Sequence, residues 1–270
     1  MSAFFMSFSC GHTFATTNCD PPLNSFTEKA IVKWVYDGDT LLLNDKRKIR
    51  IIGIDTPETR HHKQKAQAYG AKAREALREL LNEFNYNISL YYGEERHDRY
   101  SRTLAHVYLA DGRNISSWLL QQGFAKTLAI PPNVKLAECY KQAEKYAQQR
   151  SLKIWRLKSH KLKSTATLAR RVKGFVRLKG KIRLVRKNKK SLVMELESNS
   201  KRPILIKLRN KNKHYFKMIN FEKLTDKLII VSGMLKNKHG KRVIQLNHPS
   251  QLEIISAKKV VPTIKWSLQQ

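Results

Sequence analysis

Three short runs rich in β-branched and apolar residues follow one another almost without interruption. They are Ile31 to Tyr36, Leu41 to Leu43 and Lys48 to Ile54, separated only by the polar turns Asp37-Gly38-Asp39 and Asn44-Asp45. Runs this short favour strands over helices, and links this short join only antiparallel neighbours, so the chain is committed early to a β-meander. The period then changes. Tyr69, Ala73, Ala76, Leu77, Leu80 and Phe84 recur at helical spacing, which predicts an amphipathic helix from about Ala66 to Phe84. Two more strands follow, Ile88 to Tyr92 and Thr103 to Leu109. Asn114 is a candidate N-cap for a short helix through Gln122 that stops at Gly123, and Leu136, Tyr140, Ala143 and Ala147 mark a third helix. The order is βββαββαα.

After Trp155 the composition shifts. The 270 residues carry a formal net charge of +32, and 41% of them are hydrophobic, enough for two cored domains. Lys161 to Gln270 holds 29 Lys+Arg against 5 Asp+Glu, whereas residues 1 to 160 hold 24 against 16. A surface so positive repels itself and is tolerated mainly where a polyanion compensates it, nucleic acid being the commonest. The alternative is a solvated basic surface or one facing anionic lipid, and charge alone does not separate binding from catalysis. The basic run Lys158 to Thr165 lacks either hydrophobic period, so a linker is placed at 158–168, with a basic domain at 169–258 and a tail at 259–270. Strands are expected at Val172 to Arg186, Ser191 to Leu196, Ile204 to Leu208, Leu228 to Leu235 and Val243 to Leu246, with Gly180 able to bend the first. Five such strands suit a small closed barrel of the oligonucleotide-binding (OB) type, a β-sandwich or open sheet being the alternatives. Cations recur about every second residue from Phe175 to Arg186, and period 2 puts several on one sheet face, where they can track a phosphate backbone.

Cys10, Cys19 and Cys139 are too few and too scattered for a structural zinc site or a disulfide scaffold. Residues 1–23 read as a signal-peptide remnant or flexible leader, with an apolar run at Ala3 to Phe8 and a small-x-small cleavage site at Thr13-Phe14-Ala15, although no basic segment precedes them. A secreted or periplasmic protein is expected on that reading. Cleavage there leaves Cys19 and Cys139, which either join in an oxidising compartment or stay as two thiols. No later stretch approaches the ~20 apolar residues of a membrane span.

Phosphodiester hydrolysis needs charge neutralised on the phosphate, a positioned water and a group to orient or deprotonate it. Asp39 and Asp55 are hard oxygen ligands on neighbouring strands or their ends, where they could converge on calcium or magnesium, although each taken singly reads as a solvated turn carboxylate. Arg50 sits in the apolar run Ile49-Arg50-Ile51-Ile52 and points to the opposite face from its neighbours, either toward an anionic partner or as an ordinary surface arginine. Arg102 follows Asp98-Arg99-Tyr100-Ser101, where Tyr100 could stack on a base or cover the sheet edge.

Together these segments are more specific. Asp37-Gly38-Asp39-Thr40, Ile49 through Glu58, and Asp98-Arg99-Tyr100-Ser101-Arg102-Thr103-Leu104-Ala105 closely resemble, in this order, the three signature blocks of the thermonuclease (staphylococcal nuclease) family. Leu152-Lys153-Ile154-Trp155 resembles the end of that domain. The resemblance covers about Glu28 to Trp155, within a catalytic domain placed at 24–157, and does not reach the basic second part. It implies a mainly β fold with an OB-type five-stranded barrel and three helices, here followed by the second small barrel. It also implies Ca2+ held by Asp39, Asp55 and the Thr56 carbonyl, Arg50 and Arg102 on the scissile phosphate, and Glu58 positioning or deprotonating water. Arg99 and Tyr100 are candidate substrate contacts. Cleavage of DNA and RNA alike would leave 3′-phosphate and 5′-hydroxyl ends, single strands being preferred, by a monomer with no obligate protein partner. Bidentate arginines suit the task because a planar fork matches two phosphate oxygens and stays charged. The family's tyrosine shortly after Ala125-Lys126 is missing from Thr127-Leu128-Ala129-Ile130, which puts nucleotide-end affinity in doubt. Arg99 stands where lysine is common. His61, His62, Lys63 and Lys65 lie in the family's mobile basic loop and are left out of the site. The alternative function is a non-catalytic nucleic-acid-binding protein, since some domains of this fold have lost the carboxylates and arginines that are all present here. A surface adhesin for anionic polymers would leave them unexplained.

Overall fold

A computed structural model describes residues 19–20, 28–59, 65–199, 203–238 and 240–255. The expected cleavage site, Cys10, the loop residues His61, His62 and Lys63, and the tail lie outside the described residues.

The first domain runs β1 (Glu28–Asp37), β2 (Thr40–Leu43), β3 (Lys48–Ile51), β4 (Gly53–Asp55), α1 (Gly70–Asn82), β5 (Asn87–His97), β6 (Thr103–Leu109), α2 (Ile115–Gln121), β7 (Lys126–Leu128) and α3 (Ala137–Gln149). Five strands close a barrel in the order β1-β2-β3-β6-β5, with β3 and β6 parallel and the other pairs antiparallel. Alternation builds its core: Val32, Val35, Leu41, Leu43, Ile49 and Ile51 are buried and meet Ala73, Leu77, Leu80 and Leu81 of α1. Removing such side chains from water, at roughly 1.5–3 kcal/mol each, holds the barrel closed.

The run read as one strand, Lys48 to Ile54, is broken in two. Gly53 has φ 90°, and a Cβ there would fall 2.1 Å from the Tyr140 ring, so only glycine lets the chain turn against that side chain. Beyond the turn β4 leaves the barrel and pairs with β7, with Asp55 opposite Lys126. Helix α1 starts at Gly70, later than its apolar period, because Tyr69 is left-handed at φ 72° and Gly70 N–H closes a turn on the Gln67 carbonyl. Asn114 does cap α2, its side chain accepting the Ser117 N–H at 2.9 Å. Its amide also reaches the Tyr140 hydroxyl at 3.1 Å, and that hydroxyl lies 2.6 Å from His106 Nδ1 in a buried network. Cys19 and Cys139 form a disulfide with Cα atoms 5.8 Å apart, fastening the N-terminal segment to α3.

The second domain comprises β8 (Leu162–Ser164), β9 (Gly174–Lys187), β10 (Ser191–Leu196), β11 (Ile204–Arg209), β12 (Leu228–Lys238), β13 (Lys241–Leu246) and β14 (Leu252–Ile255). It closes as β9-β10-β11-β13-β12, with β12 returning to β9. Its third and fifth strands, β11 and β13, are parallel and the other pairs antiparallel, so its barrel repeats the strand order and parallel pairing of the first. Where the first barrel has α1 between its third and fourth strands, the second has two 3-10 turns, Asn210–Phe216 and Phe221–Leu224, whose Phe216, Phe221 and Leu224 enter its core. Just beyond Gly180, β9 passes from β12 to β10. The basic segment 158–168 is more structured than its composition implies: β8 pairs in parallel with β9, and Leu168 is buried in the second core. The domains meet where Phe175 packs on Trp155, ring centroids 6.5 Å apart, and on His160 at 5.1 Å. A second contact brings His248 Nδ1 to 3.8 Å from Glu138 on α3.

Candidate active site

The turn between β1 and β2 is the hub. Asp37 accepts the Asp39 N–H at 3.0 Å, which tightens the Asp-Gly-Asp turn. Gly38 packs so closely on Thr56 that a Cβ would lie 2.7 Å from its methyl group. Asp39 is therefore driven inward, 5% exposed, onto the end of β4. Its Oδ2 accepts the Thr56 N–H at 2.9 Å and its Oδ1 the Thr40 hydroxyl at 3.0 Å. Burial is the largest influence on this carboxyl, with Asp37 and Asp55 acting the same way. Together they push it up to about 6 against the pull of Arg50 and the Thr56 N–H.

Arg50 leaves β3 on the half-buried face, its register partner on β2 being Thr40. The guanidinium donates to the carbonyls of Ile51 at 2.8 Å and Ile54 at 3.0 Å, and its Nη2 lies 3.1 Å from Asp39 and 3.8 Å from Asp55. One nitrogen thus stands between both acids. Arg102, at the approach to β6, is braced by Asp98: its Nε donates to Asp98 Oδ2 at 2.8 Å, its Nη2 lies 2.7 Å from that oxygen, and its own N–H donates to Oδ1 at 3.0 Å. Burial works to raise the Asp98 carboxyl, but these bonds and that of the Tyr100 N–H hold it below the usual range. Arg102 Nη1 reaches the Thr40 hydroxyl at 3.4 Å, and that hydroxyl donates to Asp39, which pairs with Arg50. Tyr100 is 64% exposed at the rim, with the Arg99 guanidinium 4.7 Å and the Arg102 guanidinium 5.5 Å from its ring centroid. Glu58 is half-buried on the segment leaving β4, its carbonyl accepting the Gln67 N–H at 3.0 Å.

The fold therefore gathers Asp39, Arg50, Asp55, Thr56 and Arg102 at one turn, with Glu58 three residues beyond Asp55 and Arg99 and Tyr100 outside Arg102. Sequence reading missed Lys126. Its ammonium forms an ion pair with Asp55, only 15% of its side chain is exposed, and it lies 5.4 Å from the Phe175 ring of the second domain. The pairing of β4 with β7 places it there, and no alternation announces a three-residue strand whose members are all half-buried.

Calcium takes carboxylate and carbonyl oxygens, and the donors here are of that kind. Thr56 Oγ1 is also buried without a hydrogen-bond partner, and Asp39 carries more desolvated charge than its neighbours offset. The residues fit the ion, although no cluster of three or more His, Cys, Asp or Glu side chains occurs among the described residues. Water and substrate oxygens would have to complete the shell.

An OB-type barrel that collects two carboxylates and two arginines around one turn has the build of a phosphodiester-cleaving nuclease domain. Residues 48–157 match the family described as Staphylococcal nuclease homologue. The chain is 37% identical over 131 residues to Thermonuclease of Staphylococcus intermedius, an overlap of 47% of this chain and 76% of that protein. It is 36% identical over 124 residues to Thermonuclease of Staphylococcus hyicus (45% and 72%) and 34% identical over 123 residues to Endonuclease YncB of Bacillus subtilis (44% and 57%). The chain belongs to the staphylococcal nuclease family. The second barrel lies beyond the family match.

Proposed function

We propose that the chain is a calcium-dependent nuclease that hydrolyses DNA and RNA to 3′-phosphate and 5′-hydroxyl ends, and that its second barrel holds the polymer near the catalytic one. The observation that carries this reading is the buried Asp39, which pairs with Arg50 and accepts the Thr40 hydroxyl to which Arg102 donates. A phosphate entering there meets two cationic forks held by backbone carbonyls and by Asp98, so little reorganisation accompanies charge build-up on phosphorus. Arg50 Nη2 would exchange Asp39 for a phosphate oxygen, while Arg102 presents the edge that faces Thr40. Asp39, Asp55 and the Thr56 carbonyl would hold calcium, and the chemistry it supplies when bound is neutralisation of phosphate charge. Glu58 serves as the base or orienting group for water, and Arg99 and Tyr100 as outer contacts for the strand. The Cys19–Cys139 bond supports a secreted or periplasmic location, since disulfides persist in oxidising compartments. No helix of the described residues is long and apolar enough to cross a membrane. Replacing Glu58 with Ala tests the assignment: turnover should fall with the fold intact, and a fully active variant refutes the role.

A further inference from the structure

We propose that the polymer is held at one end of the second barrel, on the β9–β10 hairpin tip and the turn that follows β11, and that the occupant is the phosphate backbone of a single strand. This rests on the tethering role given to the second barrel above.

Alternation on β9 does place Arg177, Lys179, Lys181 and Arg183 outward while Val176, Leu178, Gly180 and Ile182 are buried. That face is nevertheless partly neutralised. Lys181 lies 3.8 Å from Asp226, Arg183 pairs with Glu195, and Glu253 is within electrostatic reach of Arg177. Three of the five acids beyond residue 160 therefore serve this one face. The end of the barrel is different. Lys187, Lys189, Lys190, Arg209, Lys211 and Lys213 are all exposed, and none is in an ion pair among those described. Neither 186–194 nor 198–221 contains an Asp or Glu.

The cationic end is also ordered, by hydrogen bonds from Asn188 and Asn210. Asn188 Oδ1 accepts the Lys190 and Ser191 N–H groups at 3.1 and 2.8 Å, and Asn210 donates to the carbonyls of Lys190 at 3.1 Å and Lys189 at 3.0 Å. The hairpin tip and the post-β11 turn are thus fastened into one surface. Less conformational freedom is then lost when its side chains engage phosphates. The same turn lies beside the residue that touches the first domain: the Tyr215 ring is 6.1 Å from His248, whose Nδ1 is 3.8 Å from Glu138 on α3.

A single strand fits better than a bilayer. Met218 is the one exposed large apolar side chain among the described residues of 186–221, so the surface has no apolar face to insert into a bilayer. The outward positions of β10 and β11 include Val193, Glu195 and Leu205 and no aromatic ring, and the His214 and Tyr215 rings of the turn after β11 lie against each other at 3.9 Å, so the contact is chiefly electrostatic.

The test uses the full chain, a long oligothymidylate and chelator, with binding measured over a salt series. Lys187→Gln, Lys189→Gln and Lys190→Gln together should flatten the log–log salt slope by up to about 2, at about 0.7 per phosphate contact, and weaken binding on the order of tenfold. The same three positions changed to Arg should keep the slope. Lys179→Gln with Lys181→Gln should change it little. If that pair flattens the slope as much as the tip variant does, the surface is misplaced and only this inference fails. If all five changes combined leave the slope untouched, the second barrel holds no polymer and the tethering reading fails too. Anionic vesicles that outcompete the oligonucleotide for the tip would also overturn the proposal.

Discussion

Arg50 spends its fork on two backbone carbonyls and on Asp39, and this decides what a lysine could do in its place. An ammonium cannot hold the β3–β4 turn and a phosphate in one plane. Arg50→Lys or Arg102→Lys should lower turnover by about two to three powers of ten, like the loss of one strong oxyanion donor, with the far-ultraviolet spectrum unchanged. Near-normal turnover in either would remove that arginine from the phosphate. Lys126 forms an ion pair with Asp55, one of the acids that would hold calcium. Lys126→Met should therefore tighten calcium binding several-fold in a calorimetric titration, and weaker binding would show that the lysine supports the site instead of competing for it. His106 is buried against Tyr140, and burial, with Lys135, pushes it down from 6.5 to about 3. Between these values the unfolded chain binds a proton that the native state refuses. The associated stability is complete above 6.5 and drains as pH falls through that window, by about 1.4 kcal/mol per unit. Thermal or denaturant unfolding at pH 7 and 5 should show His106→Gln losing about 2 kcal/mol less than the parent over that interval. Equal losses would mean that His106 is charged in the native state.

At the scale of elements, β1, β3 and the helices were legible because each buries one face and burial writes its period into the residues, while β2 and β6, buried on both faces, were legible as short apolar runs. Where the backbone alone decides, the sequence is silent. β8 is three residues in a basic stretch, β7 three half-buried residues, and β5 runs past its last apolar residue to His97 because Thr103 still pairs with it. The break at Gly53 hid for another reason: Ile52 and Ile54 are both buried, so the run looks continuous, and only the Tyr140 ring reveals why the chain turns. The candidate site was legible as a combination of blocks, whereas Lys126 depended on the unannounced β4–β7 pairing. The disulfide joins elements 120 residues apart in sequence, and its removal by Cys19→Ala with Cys139→Ala should cost about 2–5 kcal/mol in denaturant unfolding. Titration of unreduced, denatured protein should find neither cysteine as a thiol; recovery of both would disprove the bond.

The whole molecule is one strand order used twice, once with a carboxylate–arginine turn and once with a cationic end. Each barrel has its own core, and the two meet through Trp155, His160 and Phe175 and through His248 and Glu138. A chain ending near Lys158 should therefore keep calcium-dependent cleavage of short oligonucleotides. It should bind long single strands more weakly and with a shallower salt dependence than the full chain. Equal affinity and slope would detach the second barrel from substrate capture. Catalysis itself is tested by incubating the full chain with single-stranded DNA and with RNA, in calcium or in chelator, and following acid-soluble product and its end groups. Both polymers should be degraded to 3′-phosphate and 5′-hydroxyl ends in calcium and left intact in chelator; no cleavage in calcium, or equal cleavage in chelator, would contradict a calcium-dependent nuclease.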